Sequence, residues 1–313
     1  MHQNTVLSAT RHMRVATALV LAVLLTACAT PASYREPITR FQQASTVVIE
    51  VARIEYNDAN VAERDAFIDK QAANRGPLSP KVLKNADLRV LEPEDLEARM
   101  LALNALAKHG QLLLALASSD APQRAKDAAN SLDEAVTGLS KSIGAAPSED
   151  FKEKAGAFAA IVSKVTELVL AKKITEALDK SITASKSAIP GLTKLMREEF
   201  AALYERRKTR LSGERTRAFD AYTDAIAAKE PDAGTIAKTV AEIKRVEDEW
   251  DQLPLQRGAS ESIDAMEKAH KELVEYAESD KAPQDLADLA EAIDTFVASA
   301  KIIADSIRTI RKD

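Results

Sequence analysis

Apolar positions recur three and four residues apart over most of this chain, and no useful stretch alternates apolar with polar as a half-buried strand does. The spacing predicts an all-α fold, an elongated antiparallel bundle of about eight helices, several of them long. The first helix is predicted over residues 37–73, with Val47, Val51, Ile54, Val61 and Ile68 on one stripe. Asp58 and Asp65 fall on the same stripe, so its core face should turn or become wet there. Gly76-Pro77 ends that helix, and Ser79-Pro80 opens one short helical turn. Pro93, backed by Glu94 and Asp95, starts a second helix: proline suits the first helical position, and acids suit the positive end of the dipole. Residues 112–117 are apolar on every side, which predicts deep burial. A break ending at Pro122 leads into a third helix with Ala125, Leu132, Leu139 and Ile143 inward.

The pattern continues after a break at residues 144–148, where Ser148 is placed to cap. The fourth helix carries Phe158, Ile161, Val165 and Leu168 and is expected to run to Ile189, where Pro190-Gly191 interrupts it. A fifth runs from Leu192 to Lys229, with a kink expected at Ser212-Gly213. The sixth holds Ile236 to Trp250 and should end at Pro254 and Gly258. The seventh shows Ile263, Met266, His270 and Leu273. In the eighth, Leu286, Leu289, Ile293, Phe296, Ala300, Ile303, Ile307 and Ile310 alternate without a miss, a coiled-coil-like seam.

One apolar run does not fit this plan. Residues 15–27 follow Arg11 and Arg14, are too short to span a bilayer, and end in small residues, as an export signal does. The run closes on Leu25-Thr26-Ala27-Cys28, and Cys28 is the only cysteine in the chain. This tetrapeptide resembles the lipobox of bacterial lipoproteins. The resemblance covers residues 1–28 alone. It implies removal of residues 1–27 and acylation of Cys28 by chains such as palmitate. With Ala29 next rather than Asp, it also implies sorting to the outer membrane. Buried acyl chains, at about 0.8 kcal/mol per methylene, would hold the chain on a membrane. Residues 28–36 then form a lipidated cysteine and short aperiodic tether, and residues 37–313 one helical domain with a subdivision considered near 185–191.

Composition sharpens this reading. Apolar residues are 46% of the chain but aromatics only 4%, so the core must be built from Ala, Leu, Ile and Val. A net charge of −5 argues against nucleic acid as partner. The remaining apolar runs look too short for a membrane span, so the body is expected to be soluble.

Candidate chemistry is sparse. Beyond residue 28 the only histidines are His109 and His270. Glu267-x-x-His270 is half of a carboxylate-bridged di-metal pattern, but Leu106 stands three residues before His109, so the second half is missing. Glu267 and His270 are therefore weak metal candidates, and no cofactor is expected. Gly138-Leu139-Ser140-Lys141-Ser142 lacks the closing glycine of a nucleophile elbow and falls in a helical stretch. Arg206, Arg207, Lys208, Arg210, Arg215 and Arg217 form a cationic run that suits an anionic partner or, in the plainer reading, acids on a neighbouring helix. Glu247, Glu249 and Asp251 around Trp250 are candidates for those acids. The expected function is a non-enzymatic envelope lipoprotein, its body in the periplasm as a structural or interaction module for a protein or the cell-wall polymer. The alternatives are an immunity lipoprotein that neutralises an envelope-targeted toxin, and a metal-binding or enzymatic bundle.

Overall fold

The computed structural model describes residues 31–86, 88–118, 122–143, 161, 165, 168–169 and 173–310. Cys28, Ser148 and Phe158 lie outside the described residues. Among the described residues there is no strand, and eight helices form a bundle. They are α1 (Pro31–Ala73), α2 (Pro80–Asn85), α3 (Pro93–Ala117), α4 (Pro122–Ile143), α5 (Ile174–Ala184), α6 (Ala188–Ala227), α7 (Ala233–Glu278) and α8 (Pro283–Ile310).

The caps follow local chemistry. Ser79 accepts from the Val82 amide to start α2, and Asp232 accepts from the Thr235 amide at 2.7 Å to start α7. Pro93 opens α3, where its missing N–H costs no intrahelical bond. At the end of α1 the left-handed residue is Arg75, φ 52°, while the following Gly76 amide closes on the Gln71 carbonyl at 2.7 Å.

Four boundaries differ from those expected. First, α1 starts at Pro31, and Tyr34 is already fully buried, so residues 31–36 belong to the helical body instead of a tether. Pro37 sits inside this helix. Second, the break near residue 190 falls at residues 185–187, and Pro190 lies in the first turn of α6, where proline is tolerated. Third, α5 opens only at Ile174, so the fourth helix is not continuous to Ile189. Fourth, the predicted sixth and seventh helices are one helix, α7, with Pro254 inside it. Pro254 is exposed and Leu253 beside it is buried, so the proline ring sits on the outer side of a helix that packing holds together.

One large core unites α1, α3, α4, α5 and α8 with the first half of α6 and the second half of α7. Tyr34, Ile38, Phe41 and Val48 of α1 meet Leu112, Leu113 and Leu116 of α3 and Phe296 of α8 there. Ile161 and Val165 are buried in it as expected, and so are Leu289, Ile293, Phe296 and Ala300 along the α8 seam. Among the described residues α3 is long and apolar enough to cross a membrane, contrary to the expectation that no such segment follows the signal; 56% of its apolar window is buried inside the bundle.

The second half of α6 and the first half of α7 leave the core as an antiparallel arm. Only a small cluster of Leu211, Val246 and Leu253, with Tyr204 and Trp250 against it, packs there. Towards the tip the apolar side chains are uncovered: Phe219 is 46% and Ile226 47% exposed. Cross-helix contacts fix the direction of this arm. Tyr56 bonds Glu199, and Arg206 pairs with Glu63, so α1 and α6 run parallel. At 1.5 Å per residue, the arm tip lies on the order of 80 Å along the axis from the start of α1.

Candidate functional site

The Glu267/His270 pair comes apart. His270 points inward and is 1% exposed, with Nε2 2.8 Å from Ser185 Oγ. Ser185 spends its single proton on the Ile182 carbonyl at 2.6 Å, so His270 Nε2–H is the donor in that contact. The neutral ring therefore carries a bare lone pair on Nδ1, which has no hydrogen-bond partner among the described residues. Glu267 turns outward to Thr193 Oγ1 at 3.0 Å and Arg197 at 3.5 Å. Among the described residues no three His, Cys, Asp or Glu side chains converge on a point where a metal ion would sit. Burial pushes His270 down to about 3, with nearby His109 adding to the effect, and burial alone pushes His109 down to about 4. Both rings are thus neutral core groups at pH 7.

The cationic run is divided by the two-helix arm. Arg210 reaches Glu214 at 2.8 Å and Glu249 at 3.4 Å. Arg215 bonds Glu247 at 2.6 Å and lies 4.5 Å from the Trp250 ring centre. Glu214, only 7% exposed, also accepts from Arg245 at 3.2 Å. The acids flanking Trp250 do supply the counterpart, through Glu247 and Glu249. Lys208 stays on the surface with Glu205 at 3.9 Å, and Arg217 is exposed on the outer face. Arg206 keeps a loose contact of 3.7 Å with Glu63 on α1.

Arg207 is the exception. It is half-buried, its Nε is enclosed without a hydrogen-bond partner, and it faces the distal half of α1. There the α1 stripe changes character after Tyr56, as Asp58 and Asp65 on the apolar face suggest. Instead of packing, this half of α1 borders a cleft of about 650 Å³. Asp58, Val61 and Asp65 line one side, and Arg207, Arg210 and Arg245 the other. Asn60 holds the rim by accepting from the Val90 amide at 2.8 Å and the Leu91 amide at 3.0 Å and donating to the Leu91 carbonyl at 2.8 Å.

Sequence reasoning missed a buried network that fixes the base of this cleft. Glu199 accepts from Tyr56 at 2.6 Å and from Arg99 Nε at 3.0 Å, joining α1, α3 and α6. Its members lie up to 143 positions apart and carry no local signature. No family model, curated protein or solved structure matches this chain.

Proposed function

We propose that this chain is a lipid-anchored, non-enzymatic lipoprotein of the bacterial cell envelope, and that its helical body is an interaction module in the periplasm held at the outer membrane. The observation that carries the reading is the basic-apolar-small run ending in Leu25-Thr26-Ala27-Cys28. Two features of the body support it. Helix α1 starts at Pro31 and its Tyr34 is a core residue, which keeps the bundle close to an anchor at Cys28. The arm extends on the order of 80 Å the other way, which suits contact with a protein or the cell-wall polymer away from the anchoring surface.

Cys28→Ser removes the acylated atom and should move the protein from the high-salt-washed membrane fraction to the soluble one. If the variant remains with the membrane after that wash, lipid attachment at Cys28 is not what holds it.

A further inference from the structure

The cleft between α1 and the arm holds two opposite charges that do not meet. Arg207 and Asp58 line the same two adjoining hollows, one of about 50 Å³ and one of about 650 Å³. Neither has an ion pair among the described residues, and the Arg207 Nε has no hydrogen-bond partner there. Their neighbours are committed elsewhere: Arg206 to Glu63, and Arg210 to Glu214 and Glu249, while Glu55 in the smaller hollow is not without a partner either. Between them the floor is apolar and mostly small, formed by Ala59, Ala62, Val90 and Leu203.

An enclosed guanidinium nitrogen without a partner is costly unless water or a ligand satisfies it. A simple anion on Arg207 would face the Asp58 carboxylate, and Asp69 extends that repulsion along α1, where Asp65 is paired with Arg64. A simple cation on Asp58 would face Arg207. A ligand that carries both charges satisfies both residues, and guanidinium matches a carboxylate in two-pronged fashion.

We propose that this cleft binds a zwitterion of the amino acid or short peptide class. Its carboxylate takes Arg207, its ammonium takes Asp58, and its backbone crosses the alanine floor. Asp58 and Asp69 set the polarity, with the amino end towards α1. This assigns a ligand class to the interaction module and holds whether or not Cys28 is acylated, so the two ideas fail separately.

The test is calorimetric titration of the full chain, purified in detergent, with L-alanyl-L-alanine and with L-alanine. Saturable binding of either zwitterion at millimolar concentration is expected, and the tighter of the two tells peptide from free amino acid. N-acetyl-L-alanine lacks the ammonium and L-alaninamide lacks the carboxylate; each should bind at least about tenfold more weakly. Arg207→Gln and Asp58→Asn should each weaken the zwitterion by a similar factor, while Arg217→Gln on the outer face of the same helix should not. The proposal is overturned by absence of zwitterion binding, by equal binding of N-acetyl-L-alanine or L-alaninamide, or by affinity unchanged in both cleft variants. The comparison of ligands on the unaltered chain keeps the test valid even if a variant folds poorly.

Discussion

Lowering the pH from 7.5 to 5.0 should remove about 4 kcal/mol of folding stability through two histidines alone. His109 and His270 are each 1% exposed and neutral, held down to about 4 and about 3 by burial. In the unfolded chain each returns to about 6.5. Below that value the unfolded state takes up protons that the native state refuses, so stability is complete above pH 6.5 and falls as the pH drops towards the native values. At pH 5.0 each histidine contributes a deficit of about 1.5 pH units, or roughly 2 kcal/mol. The sum is a large part of the 5–15 kcal/mol that typically separates folded from unfolded chains. Glu272, raised by burial and then by Glu275, acts in the opposite sense but lies at the surface. Urea unfolding at the two pH values measures the effect. An equal midpoint at both would mean that the histidines are not buried as neutral rings.

The second large effect is expected at Glu199. Glu199→Leu takes the main carboxylate from the Arg99 guanidinium, whose side chain is only 11% exposed and which keeps the Asp95 carbonyl at 2.9 Å and carboxylate at 3.6 Å, and it takes the acceptor from the Tyr56 hydroxyl. Burial alone would pull the Arg99 pKa down, but the hydrogen bond and charge of Glu199 outweigh it and the net direction is up. Removing one partner of such a pair costs about 3 kcal/mol, because the survivor stays charged in a mostly dry site with much of its compensation gone. Glu198→Leu serves as the control, since that carboxylate is 56% exposed and pairs only loosely with Lys194 at 3.8 Å. Adding Arg99→Leu to Glu199→Leu should recover part of the loss, because the under-compensated charge goes with it. A Glu199→Leu protein as stable as the Glu198→Leu protein would show that the network does not tie α1, α3 and α6 together.

The helical class and most helix positions were readable because they depend on local periodicity. The α8 seam and the all-apolar end of α3 are buried where the three-four spacing puts them. Three of the four displaced boundaries share one cause, which does not extend to the opening of α5 at Ile174. Pro37, Pro190 and Pro254 read locally as helix breakers or boundary markers, yet whether a proline ends a helix depends on its place in the first turn and on packing elsewhere along the helix. Asp58 and Asp65 did signal that the α1 stripe loses its core, and that is where the cleft opens. The pairing of Arg210 and Arg215 with the acids near Trp250 was also foreseeable from charge alone. The isolation of Arg207 was not, because it depends on which of several adjacent arginines the α6–α7 register brings to each acid. The inward turn of His270 and outward turn of Glu267, three residues apart on α7, likewise depend on neighbours far away in sequence, Ser185 in the turn after α5 and Thr193 in α6.

The account rests most heavily on Cys28, and intact-mass measurement of the protein from its native membrane tests that residue directly. The expected species begins at Cys28, lacks residues 1–27 and carries acyl chains on the new N-terminal cysteine. A chain that begins at any other residue, or one that begins at Cys28 with a free thiol and free amine, would contradict it.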